Sequence, residues 1–351
     1  MKIITIVVFF ANSLFAQQMD YYLHVNQAEE LFVLNHDARC FKEYQKAFRT
    51  KAHYFAKDAY IAAQIAYYLK DEKKVVLYLK RAFELGLPFT ALKSAPIFQK
   101  IETTSVYPEV VKVFQQCKKP TFDAAARDTI YQKCFISDSL KFIMGKDSKK
   151  IAQFNQFEDS FRDYLKQEYL SKGIFPNENL IGIATDSVFD DFMRRNGHVD
   201  PYAAVEKQLF GSTSSIPIEY GLVSKYSFSV LLHSSCSFPN YQKFLFDAVM
   251  NGYLQPIEYG LLHETSIAWN QQASNPNEKC TRLVSDAYYN ILEFDPRKDI
   301  QTRIDDSNTE GIKQVEKNRA SIGMQKYSID QLKRLDQKNL GLKFFFYFLE
   351  R

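Results

Sequence analysis

The sequence predicts a mainly α-helical protein: a helical-hairpin N-terminal part followed by a mostly helical C-terminal domain. Three observations predict it. Ala59, Ala62, Ala63 and Ala66 recur at three- and four-residue steps, the period of one helix face. Phe154, Phe157, Phe161, Tyr164, Leu165 and Tyr169 form a second stripe of the same period. Glycines and prolines fall just past such stretches, where a left-handed residue or a missing N–H ends a helix: Gly86 with Pro88, Gly173, Gly197 and Gly252.

The chain begins MKIITIVVFFANSLFAQQ. One lysine, the apolar run Ile3–Phe10 and then small residues make the pattern of an export signal, taken as residues 1–16. The run is shorter than the roughly 20 apolar residues a membrane-spanning helix needs. Cleavage after Ala16 puts bulky Leu14 at the −3 site; cleavage after Ser13 has the better Ala-x-Ser spacing. No cysteine lies nearby to accept a lipid. The expected location is therefore outside the cytoplasm, periplasmic or extracellular. The alternative is a buried N-terminal strand.

Residues 20–118 read as the first folded part. In "DAYIAAQIAYYLKDEKKVVLYLKRAFELGLP" the alanine face lets a second helix approach closely. Asp71 suits the N-cap of that second helix, which sets Val75, Val76, Leu79, Ala82 and Phe83 on one side. A short turn between helices of similar length makes an antiparallel pair.

This segment resembles a tetratricopeptide unit over roughly Tyr22–Phe114. Ala82 and Ala63 take its small positions, and Val75 and Leu79 its packing positions. The pattern is degenerate: no Trp stands at its start, and Ala66 holds the usual Tyr position. "LKSAPIFQKIETTSVYPEVVKVF" resembles the tail that closes the last repeat of bacterial arrays, and Phe41, Tyr44 and Phe48 imply an earlier helix of the stack. The resemblance implies a protein- or peptide-binding surface, since hairpins of this kind stack to bury a face none covers alone. Tyr60, Tyr67, Tyr68 and Tyr78 include candidates for it, because Tyr offers contact area at low entropic cost. The alternative is that these rings pack between helices.

Lys118-Lys119-Pro120 marks the boundary to a second part, residues 121–351. After the Phe154–Tyr169 helix, "GIFPNENLIGI" reads as a loop, Asp186 as the cap of a helix through Arg195, and "GSTSSIP" as another loop. A helix from Asn240 ends at Gly252. The hexamer PIEYGL occurs at Pro217–Leu222 and again at Pro256–Leu261. Pro fits the first helical position, and Glu in the first turn favours the positive end of the helix dipole, so both copies are expected to begin helices. "GIFPNENLIG", "LLHSSCSFPNYQKFLFDAVMNGYLQPIEYGLL" and "VEKNRASIGM" together resemble an uncharacterised C-terminal domain of exported bacterial proteins, over roughly Phe154–Met324. That resemblance implies architecture and export and carries no catalytic residue.

The residues that could carry chemistry are few. His233 and Cys236 are three apart and face one way on a helix. His263-Glu264 begins like H-E-x-x-H but lacks the second His. His233, His263 and Glu264 are thus the catalytic candidates, and a zinc site would need a third ligand brought in by the fold. Serine-elbow, phosphate-cradle, dinucleotide and EF-hand motifs are absent, so no cofactor is expected. A net charge of +4, dispersed along the chain, gives no argument for nucleic acid or for an anionic membrane. With 46% hydrophobic and 25% charged residues, the composition suits a folded protein with a large core. Cys40, Cys117, Cys134, Cys236 and Cys280 are odd in number, so one at least is unpaired; Cys117 and Cys134 are near enough in sequence to bridge two helix ends. The aromatic run Phe344–Phe348 is expected to be buried. The leading expectation is an exported binding or scaffold module of the cell envelope; the alternative is an enzyme with a site around His233 and His263.

Overall fold

The computed structural model describes residues 2–145, 147–183, 186–198, 225–232, 234, 236–272, 280, 289 and 310–344. All regular structure among them is helical. The helices are α1 (Lys2–Asn35), α2 (Cys40–Ala47), α3 (Ala56–Tyr68), α4 (Glu72–Glu84), α5 (Tyr107–Gln116), α6 (Ala124–Met144) and α7 (Ser148–Glu168). They continue as α8 (Glu178–Ile181), α9 (Asp186–Arg195), α10 (Lys225–Leu232), α11 (Ser237–Met250), α12 (Pro256–Gln272), α13 (Glu310–Ser321) and α14 (Tyr327–Leu340).

The N-terminal helices pair as the sequence predicts. The alanine face of α3 is wholly buried against α4, and Asp71 caps α4 by accepting from the Lys74 N–H at 3.1 Å. Gly86 takes the left-handed turn beyond α4. α1 packs along α2 and buries Tyr21, Val25, Ala28 and Phe32, a stripe of three- and four-residue steps, with Tyr22 buried beside it. α6 and α7 form a second antiparallel hairpin, joined by the turn at Gly145. α6 is an addition to the elements read from the sequence. So is the single turn α8 inside the expected loop, capped by Asn177 through the Asn179 N–H at 3.1 Å.

The second PIEYGL begins α12. Its Glu258 accepts the Gln255 N–H at 2.8 Å, which satisfies a donor that the helix leaves orphaned. The first copy, with Glu219, lies outside the described residues.

One hydrophobic core runs through both parts of the chain. α11 and α14 pack directly on α1. The Tyr22 hydroxyl donates to the Val249 carbonyl at 2.9 Å, Asn26 donates to the Gly323 carbonyl at 3.0 Å, and Gln325 returns a bond to the Asn26 carbonyl at 2.7 Å. Gly323 makes this approach possible. It lies at φ +75°, and a Cβ there would stand 2.5 Å from the Tyr22 ring. Further along α1, Gln18 is buried and exchanges two hydrogen bonds with the His53 backbone.

Cys236 and Cys280 form a disulfide with Cα atoms 5.1 Å apart. Cys117 and Cys134 are not bridged: both are buried free thiols, as is Cys40. Cys117 ends α5, where Lys119 donates to its sulfur at 3.1 Å, and Cys134 packs in the middle of α6. Phe344 is buried as expected; the rest of the aromatic run lies outside the described residues.

Candidate functional site

The seam between α1, α3 and the C-terminal helices concentrates buried charge. α1 turns Glu29 inward beside its aromatic stripe. α3 starts after extended Phe55, so Asp58 falls in its first turn and its side chain points toward α1. There the Tyr21 hydroxyl donates to Asp58 Oδ2 at 2.5 Å, while Tyr21 itself accepts the Phe55 N–H at 3.2 Å. α14 brings Asp330 and Lys333 from the other side. The Lys333 ammonium contacts Glu29 and lies 3.3 Å from Asp330. Asp330 also receives the Arg319 guanidinium, which donates besides to the carbonyls of Gln325 at 2.6 Å and Tyr289 at 2.7 Å.

The charges inside this network are unequal in their support. Glu29, Lys333, Asp330 and Arg319 form a continuous chain of opposite signs, the arrangement that makes buried ions tolerable. Burial alone would drive the Lys333 ammonium toward neutrality; Glu29 and Asp330 reverse this and hold its pKa above the usual lysine value. Asp58 has weaker support. Its nearest cation is Lys57, at 3.9 Å. Burial raises its pKa to about 6, Lys57 opposing and the Glu29 charge adding to the rise. Behind it, Glu178 accepts the Ala56 N–H at 2.7 Å, and burial lifts its pKa to about 8. Its second oxygen has no hydrogen-bond partner among the described residues.

A cavity of about 70 Å³ opens over this cluster. Glu29, Lys57, Asp58, Asp330 and Lys333 share its wall with Tyr22, Ile257 and Met324. That volume holds a few waters or the end of one side chain, not a drug-sized ligand. Chemically, the wall offers a buried carboxylate, Asp58, whose ionised form gains most from a new cationic or donor group.

The residues singled out in the sequence lie elsewhere. His263 is buried in α12 and enclosed edge-on by Phe238 and Tyr289, with ring centroids 4.8 and 5.3 Å away. Glu264 is buried beside it and accepts the Tyr289 N–H at 2.8 Å, so its carboxylate anchors a backbone segment. Neither lines the cavity, and Cys236 is held in the disulfide. His233 lies outside the described residues. Among the described residues no group of three or more His, Cys, Asp or Glu side chains is placed to hold a metal.

The candidate binding tyrosines divide in two. Tyr60 is fully buried, its hydroxyl donating to the Leu92 carbonyl at 2.7 Å and accepting the Ala95 N–H at 3.2 Å. Tyr78 is buried among Phe41, Tyr44 and Phe48. These two are therefore packing residues rather than a surface: each sits on the inner face of its helix. Tyr67 and Tyr68 are half-buried, resting edge-on against Phe98 and Phe32. Asp58, Glu29 and Lys333 are not among the residues that the sequence pattern singles out. Asp58 carried one usable signal: an acid beside the alanine face, just where the helix begins.

Comparison of the chain with protein-family models, curated proteins and solved structures gives no match.

Proposed function

We propose that this chain is an exported protein- or peptide-binding module of the cell envelope, and that the cavity over Asp58 receives a cationic group of the bound partner, a lysine side chain or a free amino terminus. The observation that carries the reading is the Asp58 carboxylate. It is buried on a cavity wall that it shares with Lys57, 3.9 Å away, and with Lys333, whose ammonium is engaged by Glu29 and Asp330. An ammonium entering there forms a charge-assisted hydrogen bond, worth about 1.5–3 kcal/mol in such settings. The paired α1–α2 and α3–α4 hairpins and the tetratricopeptide-like pattern of residues 22–114 support a binding role over catalysis. The signal-like N-terminus and the Cys236–Cys280 disulfide support an oxidising location outside the cytoplasm.

The test uses n-butylammonium and lysine-bearing peptides with the full chain. Both should raise its thermal midpoint, peptides in which the lysine is acetylated should not, and Asp58→Asn should abolish the shift while remaining folded. Equal shifts in the wild type and Asp58→Asn, or none with either probe, would remove the cavity from the reading.

A further inference from the structure

We infer that the tip of the α6–α7 hairpin is a docking surface for an anionic lipid bilayer. The hairpin is fixed to the body by its inner half. Ile130, Tyr131, Cys134 and Ser137 of α6 are buried, as are Phe154, Glu158, Phe161, Arg162 and Leu165 of α7. Ser137 donates to Glu158 across the pair. Between Ser137 and Phe154 no described residue is buried. The described residues of the hairpin end are thus exposed or half-buried; Gly145 turns the chain there, and Asp147 accepts the Lys149 N–H at 2.9 Å.

What this end exposes is not an ordinary solvated turn. Six large hydrophobic side chains are exposed among the described residues, and Phe142, Ile143 and Ile151 are three of them, at 45%, 52% and 36%. Lys141, Lys149 and Lys150 are exposed around them. The stretch KFIMGKDSKKI carries four lysines against one aspartate. These charges are already close in the sequence; the hairpin turn sets Lys141 on one arm and Lys149 and Lys150 on the other, with exposed apolar side chains on both arms.

Apolar tips ringed by lysine suit the boundary between headgroups and acyl chains. The isoleucines enter the apolar layer while the ammonium groups meet lipid phosphates. A protein partner fits less well, because a specific interface buries about 800 Å² on each side and a convex tip of a few side chains offers far less. No helix among the described residues is long and apolar enough to cross a membrane.

The experiment reads the tip separately from the apolar N-terminal run. Hydrogen–deuterium exchange of the full chain is followed with vesicles of phosphatidylcholine alone or mixed with phosphatidylglycerol. Anionic vesicles should slow exchange within residues 141–153, and added salt should reverse the effect. Each lysine near the surface contributes about fivefold in affinity, so the K149E/K150E pair should weaken vesicle binding by at least about 25-fold. I143S/I151S should weaken it too, with the thermal midpoint unchanged in both variants. Protection confined to residues 2–14, protection independent of phosphatidylglycerol, or a tip-dependent dimer that forms without vesicles would overturn the proposal.

Discussion

The Lys333 ammonium of α14 contacts the Glu29 carboxylate of α1, and both side chains are less than a tenth exposed. The pair joins residues from opposite ends of the chain inside a water-poor seam. Removing one partner leaves the other charged and buried. Lys333→Met should therefore destabilise the protein by about 3–5 kcal/mol, read as the shift of a urea transition. Adding Glu29→Gln should recover part of the loss, with a coupling of about 1 kcal/mol or more. Additive losses would show that the pair does not hold the seam.

Asp58 and Glu178 each contribute to the pH dependence of stability. Their folded pKa values, about 6 and about 8, lie above the ordinary 3.8 and 4.5. The folded state therefore holds more protons than the unfolded state between these limits. Its stability is fully present below about pH 4 and is lost as pH rises through the two folded values, with a slope of about 1.4 kcal/mol per pH unit for each such proton. Denaturation at stepped pH should show the midpoint falling from mildly acid to pH 8. Glu178→Gln should flatten the upper half of that profile, because its amide oxygen can still accept the Ala56 N–H.

Gly323 has no room for a side chain. Gly323→Ala should cost about 2 kcal/mol or more, combining a left-handed backbone with a clash against Tyr22. The same substitution at Gly311, where a Cβ meets nothing within 4 Å, is the control. Equal midpoints for the two variants would contradict the close approach to α1.

The disulfide predicts a thiol count. Denatured without reductant, the chain should titrate three thiols, Cys40, Cys117 and Cys134; after reduction, five. The folded protein should react slowly, since all three are buried. Reduction opens a link spanning 44 positions, and the loop-entropy relation places its contribution at about 4 kcal/mol.

Much of the fold was legible because local patterns are enough to specify helices. The alanine face of α3, the Asp71 cap and the Gly86 turn each act within a few residues, and each appears where the sequence puts it. α6 escaped notice because its buried face includes polar Ser137, which gives no periodic signal until Glu158 is known to face it. Tyr60 and Tyr78 misled for a related reason. Periodicity marks a tyrosine as amphipathic, but only the neighbouring helices decide that its hydroxyl finds carbonyls or its ring finds other rings.

The sequence by itself determined the helical class, the cap and closing turn of α4, and the start of α12 at Pro256. Tertiary structure alone decided the site. Glu29, Asp58, Lys333 and Arg319 are scattered along the chain, and each reads there as a solvated helix residue. A buried charge is recognisable only through the groups that desolvate and pair with it, and those come from helices far apart in sequence. The choice of Cys280 as the partner of Cys236, over any pairing of Cys117 with Cys134, rests on the same fact: proximity along the chain does not fix proximity in the fold.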